Sequence, residues 1–359
     1  MKILIVNTVP FNRNGISTVI MNYFNFLVMQ NKIDFVINDK IEDDYKQRIL
    51  KSGSKIYNFG NRNKNPINYV NQLRKLLKRE QYEVIYVHGN SATMAVEVFA
   101  ARKLQLKLVA HAHNVKTEHP AINKILKPYF LKHIDLAFAA SEQAGKFLFE
   151  SRKFEVIPNG ICLEDFYYSE ENRKKYRKKF DITKDQKLIV QLGTFTEQKN
   201  YEFSIELVNL LREEKVHFLF FGEGKLKNKI EENINKKNLT QKVSCFPPLR
   251  EVNQLLSAAD GVILPSLWEG LPLTGLEVQA AGVNFAVSNN LNRDLNITNS
   301  ISFLNLDTNK WKEWVMSLEN RAANREDIIV ENKRLIREAN FDITKNAQNM
   351  MEMLKILDN

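Results

Sequence analysis

Short apolar runs separated by amphipathic segments recur along this 359-residue chain, and that alternation leaves few folds open. In the first half the runs 2–6, 33–37, 55–59, 83–87, 107–111, 136–140 and 154–157 read as strands. Helical patterns lie between several of them, at 16–28, 69–78, 93–103 and 142–149. The second half repeats the scheme with strands at 187–192, 216–221, 243–246, 261–264, 284–287 and 301–304. Strands and helices alternating at this pitch predict parallel sheets covered on both faces. The length suits two such cores. The expected architecture is therefore α/β, with two Rossmann-like domains facing each other across a cleft. Pro158 and Gly160 end the last strand of the first half. That places an N-terminal domain at 1–160 and a second at 161–340, with the basic segment 172–179 leading into the second. A last helical stretch, 343–356, follows Asn340-Phe341-Asp342.

Composition narrows the class. A chain that is 44% hydrophobic and 26% charged is globular in character. It shows no apolar run of membrane-spanning length and no leader pattern before the first strand, so a cytoplasmic location is expected. Cys162 and Cys245 lack metal-ligand or redox spacing and read as thiols in a reducing compartment. A formal charge of +10 favours polyanions: nucleic acid, acidic lipid headgroups or phosphate-bearing substrates. No zinc-finger, RNA-recognition or helix-turn-helix pattern speaks for nucleic acid, and lysines also serve simply to solvate helix faces.

One stretch, Leu264-Pro-Ser-Leu-Trp-Glu-Gly-Leu-Pro-Leu-Thr-Gly-Leu-Glu277, carries the densest chemistry. It leaves a strand, breaks at Pro265-Ser266, turns through Gly270-Leu271-Pro272 and restarts as a helix at Leu273-Thr274. Pro272 suits a turn or a first helical position because it has no N–H to lose. The free amides and positive dipole end of the new helix make an anion site. Glu269 and Glu277 add carboxylates, which suit sugar hydroxyls. A ligand with both phosphate and polyol parts fits this pairing, although two glutamates alone also serve solubility or capping.

The full string resembles the signature of the retaining GT-B glycosyltransferases of glycosyltransferase family four, whose E-G-x-P-x-x-x-x-E context Glu269 and Glu277 meet. The resemblance implies a metal-independent enzyme that takes a nucleotide sugar, UDP-linked by expectation, and needs no cofactor. No Asp-x-Asp metal motif is present. It implies that Glu277 binds the ribose, that Glu269 holds the donor sugar, and that Leu273 and Thr274 face the donor. In Gly193-Thr-Phe-Thr-Glu-Gln-Lys-Asn200 the similar family motif assigns Lys199 to the diphosphate. Thr194 stands where that motif has arginine, which removes half of a cationic clamp. Gly15 matches one glycine of a phosphate-approaching Gly-Gly loop, with Asn14 in place of the other. The turn Gly222-Glu223-Gly224 resembles the family's G-x-G turn beside the nucleotide, and Arg250 stands near the base.

His111 and His113 alternate at a strand end, so both rings can face one side. Two histidines invite a metal, but the sequence shows no third ligand and none is expected. By resemblance His113 contacts the donor sugar, with His111 and His88 on the acceptor side. The His-x-His-Asn form is similar to that of exopolysaccharide and capsular transferases. The family also has the last helix crossing back to the first domain, which assigns 341–359 there. Segment 122–133 interleaves lysines with Ile125, Leu126, Tyr129, Phe130 and Leu131. It suits either an anionic membrane surface or a core-packed helix with snorkelling lysines. The expectation is transfer of a hexose or related sugar to a lipid-linked or growing glycan in capsule or exopolysaccharide synthesis, with peripheral contact to the inner membrane face. A non-catalytic partner subunit and a sugar-nucleotide epimerase are the alternatives.

Overall fold

The computed structural model describes residues 1–12, 15–115, 117, 120–319 and 324–356. The chain forms two compact units, one of residues 1–160 together with the segment that starts at Ile343, the other Ile161–Asp342.

In the first unit, β1 (Lys2–Asn7), β2 (Lys32–Ile37), β3 (Ile56–Asn58), β4 (Val84–Gly89), β5 (Lys107–Ala112), β6 (Leu136–Ala139) and β7 (Glu155–Val156) make one sheet in the order β3-β2-β1-β4-β5-β6-β7. Every pairing is parallel. Strands β1, β4 and β5 are buried almost throughout, as helices on both faces require. Helix starts follow local capping. Asn65 accepts the Asn68 N–H at 3.2 Å and Pro66 takes the first helical position, so this helix, Pro66–Glu80, begins three residues before its apolar pattern does. The pattern at 93–103 resolves into a 3₁₀ turn, Ala92–Met94, and a helix, Ala95–Ala101. The terminal helix Ile343–Ile356 packs on Gly15–Leu27. Asn31 Nδ2 lies 3.3 Å from Met351 Sδ, and Tyr86 Oη lies 3.8 Å from Met350 Sδ.

The second unit repeats the plan with β8 (Lys187–Leu192), β9 (Val216–Phe221), β10 (Val243–Phe246), β11 (Gly261–Leu264), β12 (Asn284–Ser288) and β13 (Ile301–Leu304) in the order β10-β9-β8-β11-β12-β13. These strands too pair in parallel. Phe341 and Asp342 stay with this unit. Ile161 N–H donates to Phe341 O at 3.0 Å, and Arg337 Nε meets Asp342 Oδ2 at 2.9 Å. The basic segment 172–179 does not merely lead into the unit. It lies in a helix, Glu170–Lys179, docked on Val252–Ala258, with Arg173 and Arg177 paired to Asp260.

Candidate functional site

In an open parallel sheet, loops diverge where the strand order reverses, and ligands bind at the strands' carboxyl ends there. In the second unit that point lies between β8 and β11. The loop after β8 carries Gly193–Lys199 and the loop after β11 carries Pro265–Pro272, so the two motifs meet because the topology puts them side by side. Leu267 N–H donates to Gln198 O at 2.8 Å, and Asn200 Nδ2 donates to Pro265 O at 3.1 Å. Across this seam Lys199 Nζ contacts Glu269 Oε1 at 2.5 Å, and Gln198 Nε2 donates to Glu269 Oε2 at 3.0 Å. Both oxygens of Glu269 are therefore held, with the two charged side chains largely buried. Gln198 is a site residue that sequence reasoning missed. Trp268, beside Glu269, is 57% exposed.

Glycines shape these loops. A methyl group on Gly222 would fall 2.0 Å from Gly193 O, so the two turns touch backbone to backbone. Phe195 N–H then bonds Glu223 O at 2.8 Å. Gly193, at φ +148°, leaves room for the Lys199 side chain, whose Cε would lie 2.9 Å from an added Cβ. Glu223 and Thr194 are exposed above this floor. Arg250 is also exposed, beyond the end of β10.

The helix Leu273–Ala280 begins after Pro272, and no side chain caps it. Gly275 N–H turns back to Pro272 O at 2.9 Å, while Leu273 and Thr274, both half-buried, open the first turn. One helical turn on, Glu277 is pushed up to about 7 by burial. Near neutral pH it is divided between an acceptor carboxylate and a neutral acid that donates.

In the first unit the reversal lies between β1 and β4. His88 on β4 pairs in register with His111 on β5, and His113 follows two residues later on the same side. The ring centroids of His111 and His113 are 4.2 Å apart, and His88 Nδ1 lies 2.9 Å from His113 Nε2. Tyr86 Oη meets His111 Nδ1 at 2.7 Å. Burial holds all three rings neutral, taking His113 down to about 3. At the same end of the sheet opens a cavity of about 600 Å³. Its lining includes Thr8, Asn38, Arg62, Asn90, Ser91 and Asn114, amide- and hydroxyl-rich and, among the described residues, without a carboxylate. Arg62 is anchored by Glu97 (3.2 Å) and Thr93 O (2.6 Å). Gly15 opens its helix on the surface, with free space where a side chain would stand. Asn14 lies outside the described residues.

Segment 122–133 falls in the helix Pro120–His133 and divides between the two readings. Phe130 is buried, whereas Ile125 is 76% and Ile122 49% exposed beside exposed Lys124. Leu126 and Tyr129 help line an apolar groove of about 510 Å³ with Ile67, Val70, Val96 and Phe99. Among the described residues no helix is long and apolar enough to cross a membrane.

Comparison with known proteins gives the same picture in both halves. Residues 172–353 match the family described as glycosyl transferases group 1, and residues 13–165 match glycosyltransferase family 4. A Bacillus subtilis (strain 168) protein named as a glycosyltransferase, EpsF, is 27% identical over 297 residues, covering 78% of this chain and 77% of its own. The Escherichia coli UDP-Gal:alpha-D-GlcNAc-diphosphoundecaprenol alpha-1,3-galactosyltransferase is 28% identical over 234 residues, 60% of each chain. Among solved structures, a glycosyltransferase from Rickettsia africae ESF-5 superimposes with TM-score 0.80 at 17% identity, over 100% of this chain and 99% of that one. Anabaena Alr3699/HepE, solved with UDP and glucose, gives 0.76 at 16% identity, over 99% of both. At these identities the structural likenesses carry the fold, which is GT-B.

Proposed function

We propose that this chain, which belongs to the glycosyl transferases group 1 family, transfers a hexose or related sugar from a UDP-sugar to a lipid-linked or growing glycan. Retention at the anomeric carbon and a role in capsule or exopolysaccharide assembly are part of the reading. The observation that carries it is the Lys199–Glu269 pair, fixed at the sheet's reversal point beside an uncapped helix N-terminus.

The chemistry follows from that pairing. Breaking a sugar–diphosphate bond builds negative charge on the leaving group, and prearranged donors are the strongest remedy. Lys199 and the first amides of Leu273–Ala280 supply them without a metal, with Thr194 adding one neutral donor. As the diphosphate draws Lys199 to itself, Glu269 is released to accept hydroxyls of the donor sugar, and Gln198 keeps its carboxylate aimed. Glu277 takes the ribose, and His113 contributes to holding the sugar. The cavity beside Asn90 and Asn114 suits the uncharged hydroxyls of a glycan acceptor. The cationic, apolar helix Pro120–His133 suits an acidic lipid surface that carries such an acceptor.

The test is a thermal-stability panel of UDP, GDP, ADP and TDP on wild type and E277A. A nucleotide at about a hundred times its Kd adds roughly 2.7 kcal/mol to the folded state. A UDP shift that shrinks in E277A supports the reading. No shift with any nucleotide overturns it and brings forward a non-catalytic partner subunit, for which the uncharged Thr194 speaks.

A further inference from the structure

We propose that His88, His111 and His113 form a binding site for a divalent transition-metal ion of the zinc class. The sequence alone shows only the His111/His113 pair, and strand register supplies the third ring, His88, opposite His111. Each ring offers one nitrogen, and these three atoms lie within 4.8 Å of one another.

Two observations point to a ligand. Nε2 of His88, Nε2 of His111 and Nδ1 of His113 are buried without a hydrogen-bond partner, while the His88 and His111 residues are 3% and 0% exposed. Buried polar atoms normally find a partner, and three orphans in one cluster share the same want. Second, the Tyr86 hydroxyl sits at 2.7 Å from His111 Nδ1, the outer-shell bond that fixes a ligating ring's tautomer and orientation.

An all-imidazole set selects zinc, cobalt or copper over magnesium or calcium, which prefer oxygen. Tetrahedral coordination at about 2.0–2.1 Å puts ligand nitrogens roughly 3.4 Å apart. Binding requires the ring nitrogens to draw together onto that distance, and the broad terminal torsions of His88 and His113 are the ones available for it while Tyr86 holds His111. Three protein ligands leave a fourth position open, as in catalytic rather than structural zinc sites. This ion plays no part in neutralising the diphosphate. Its occupancy would withdraw His113 from the donor sugar, so zinc acts as an inhibitor of transfer.

The experiment strips the full chain with a chelator and titrates it with Co²⁺, then with Zn²⁺. Expected is one equivalent of Co²⁺ with the intense visible bands of four- or five-coordinate nitrogen ligation, displaced by one equivalent of Zn²⁺. X-ray absorption of the zinc-loaded wild type should show scattering from three imidazoles, a readout that needs no variant to fold. Y86F should weaken binding by about 10–100-fold and H113Q by more, while H133Q and H217Q bind as wild type does. Equimolar zinc should slow sugar transfer, reversibly with chelator. Weak octahedral Co²⁺ bands, fewer than three imidazoles, or an H113Q variant that binds zinc as wild type does would each overturn the proposal.

Discussion

Lys199 Nζ lies 2.5 Å from Glu269 Oε1, across a seam between two loops that are 70 residues apart in the chain. The pair holds a cation ready for a leaving group and a carboxylate ready for a sugar, each neutralising the other until a donor arrives. K199M should therefore lower kcat by about 10²–10³, the usual cost of losing one prearranged donor to a developing anion. E269Q should separate the functions: nucleotide diphosphate binds at least as tightly, because Lys199 is no longer shared, while sugar transfer falls. Calorimetric UDP binding beside steady-state turnover checks both. Weaker UDP binding in E269Q would mean that Glu269 serves to position Lys199 rather than to hold sugar.

Two glycines of the sequence motifs differ in what they do, and alanine should expose it. At Gly222 an added methyl meets Gly193 O at 2.0 Å, whereas at Gly15 it meets nothing within 4 Å. G222A should lose about 1–3 kcal/mol, as overpacking does, and should disturb the Lys199 loop as well. G15A should leave stability nearly unchanged, since the added methyl meets nothing and the first helical position feels only part of alanine's interior advantage over glycine. If the Gly15 amide approaches donor phosphates, G15A remains folded and loses turnover. Thermal denaturation with turnover measured on the same samples separates these outcomes.

Glu277 gives the site a pH dependence with a definite sign. Burial raises its carboxyl from 4.5 to about 7, so between those values the folded chain holds a proton that the unfolded chain has lost. This group's contribution to stability therefore falls as pH rises from about 4.5 to about 7, and E277Q should abolish that fall. Ribose hydroxyls bonded to the carboxylate favour its ionised form. Nucleotide affinity should then rise from pH 6 to 8, by at most about tenfold per unit, with protons released on binding. Titrations in buffers of different ionisation enthalpy measure that release, and the E277Q profile subtracts the phosphate's own titration. An identical profile in both proteins would remove Glu277 from the nucleotide site.

The central strands β1, β4, β5, β8 and β11 were legible because each is a short apolar run buried on both faces, and the helix Glu142–Phe149 because Ser141 caps it at the start of its pattern. The Glu269/Glu277 stretch was legible because its whole grammar lies within fourteen residues. What could not be read was contact across the chain. His88 joins the histidine pair only through the β4–β5 register, and Gln198 reaches Glu269 only because β8 and β11 are neighbours. The role of the basic run at 172–179 was hidden for the same reason: its arginines meet Asp260, more than 80 residues on, only once the chain folds.

Asp260 is accordingly the residue on which the second unit's stability should most visibly turn. Its Oδ1 meets Arg173 at 2.8 Å and its Oδ2 meets Arg177 at 3.1 Å, and it also accepts the Leu188 N–H at 2.8 Å. The carboxylate thus ties the helix Glu170–Lys179 to the start of β8. All three side chains are nearly buried, at 8–12% exposure. Removing the acid leaves two guanidinium groups in a low-dielectric setting, and breaking a buried pair in this way costs about 3–5 kcal/mol. For a unit of this size D260N should lower the melting midpoint by roughly 10 °C. The exposed pair Lys229–Glu202 is the control, and E202Q should cost less than about 1 kcal/mol. Raising the salt should shrink the E202Q effect through screening and leave that of D260N in place. A D260N effect as small and as salt-sensitive as that of E202Q would mean that water reaches the arginines.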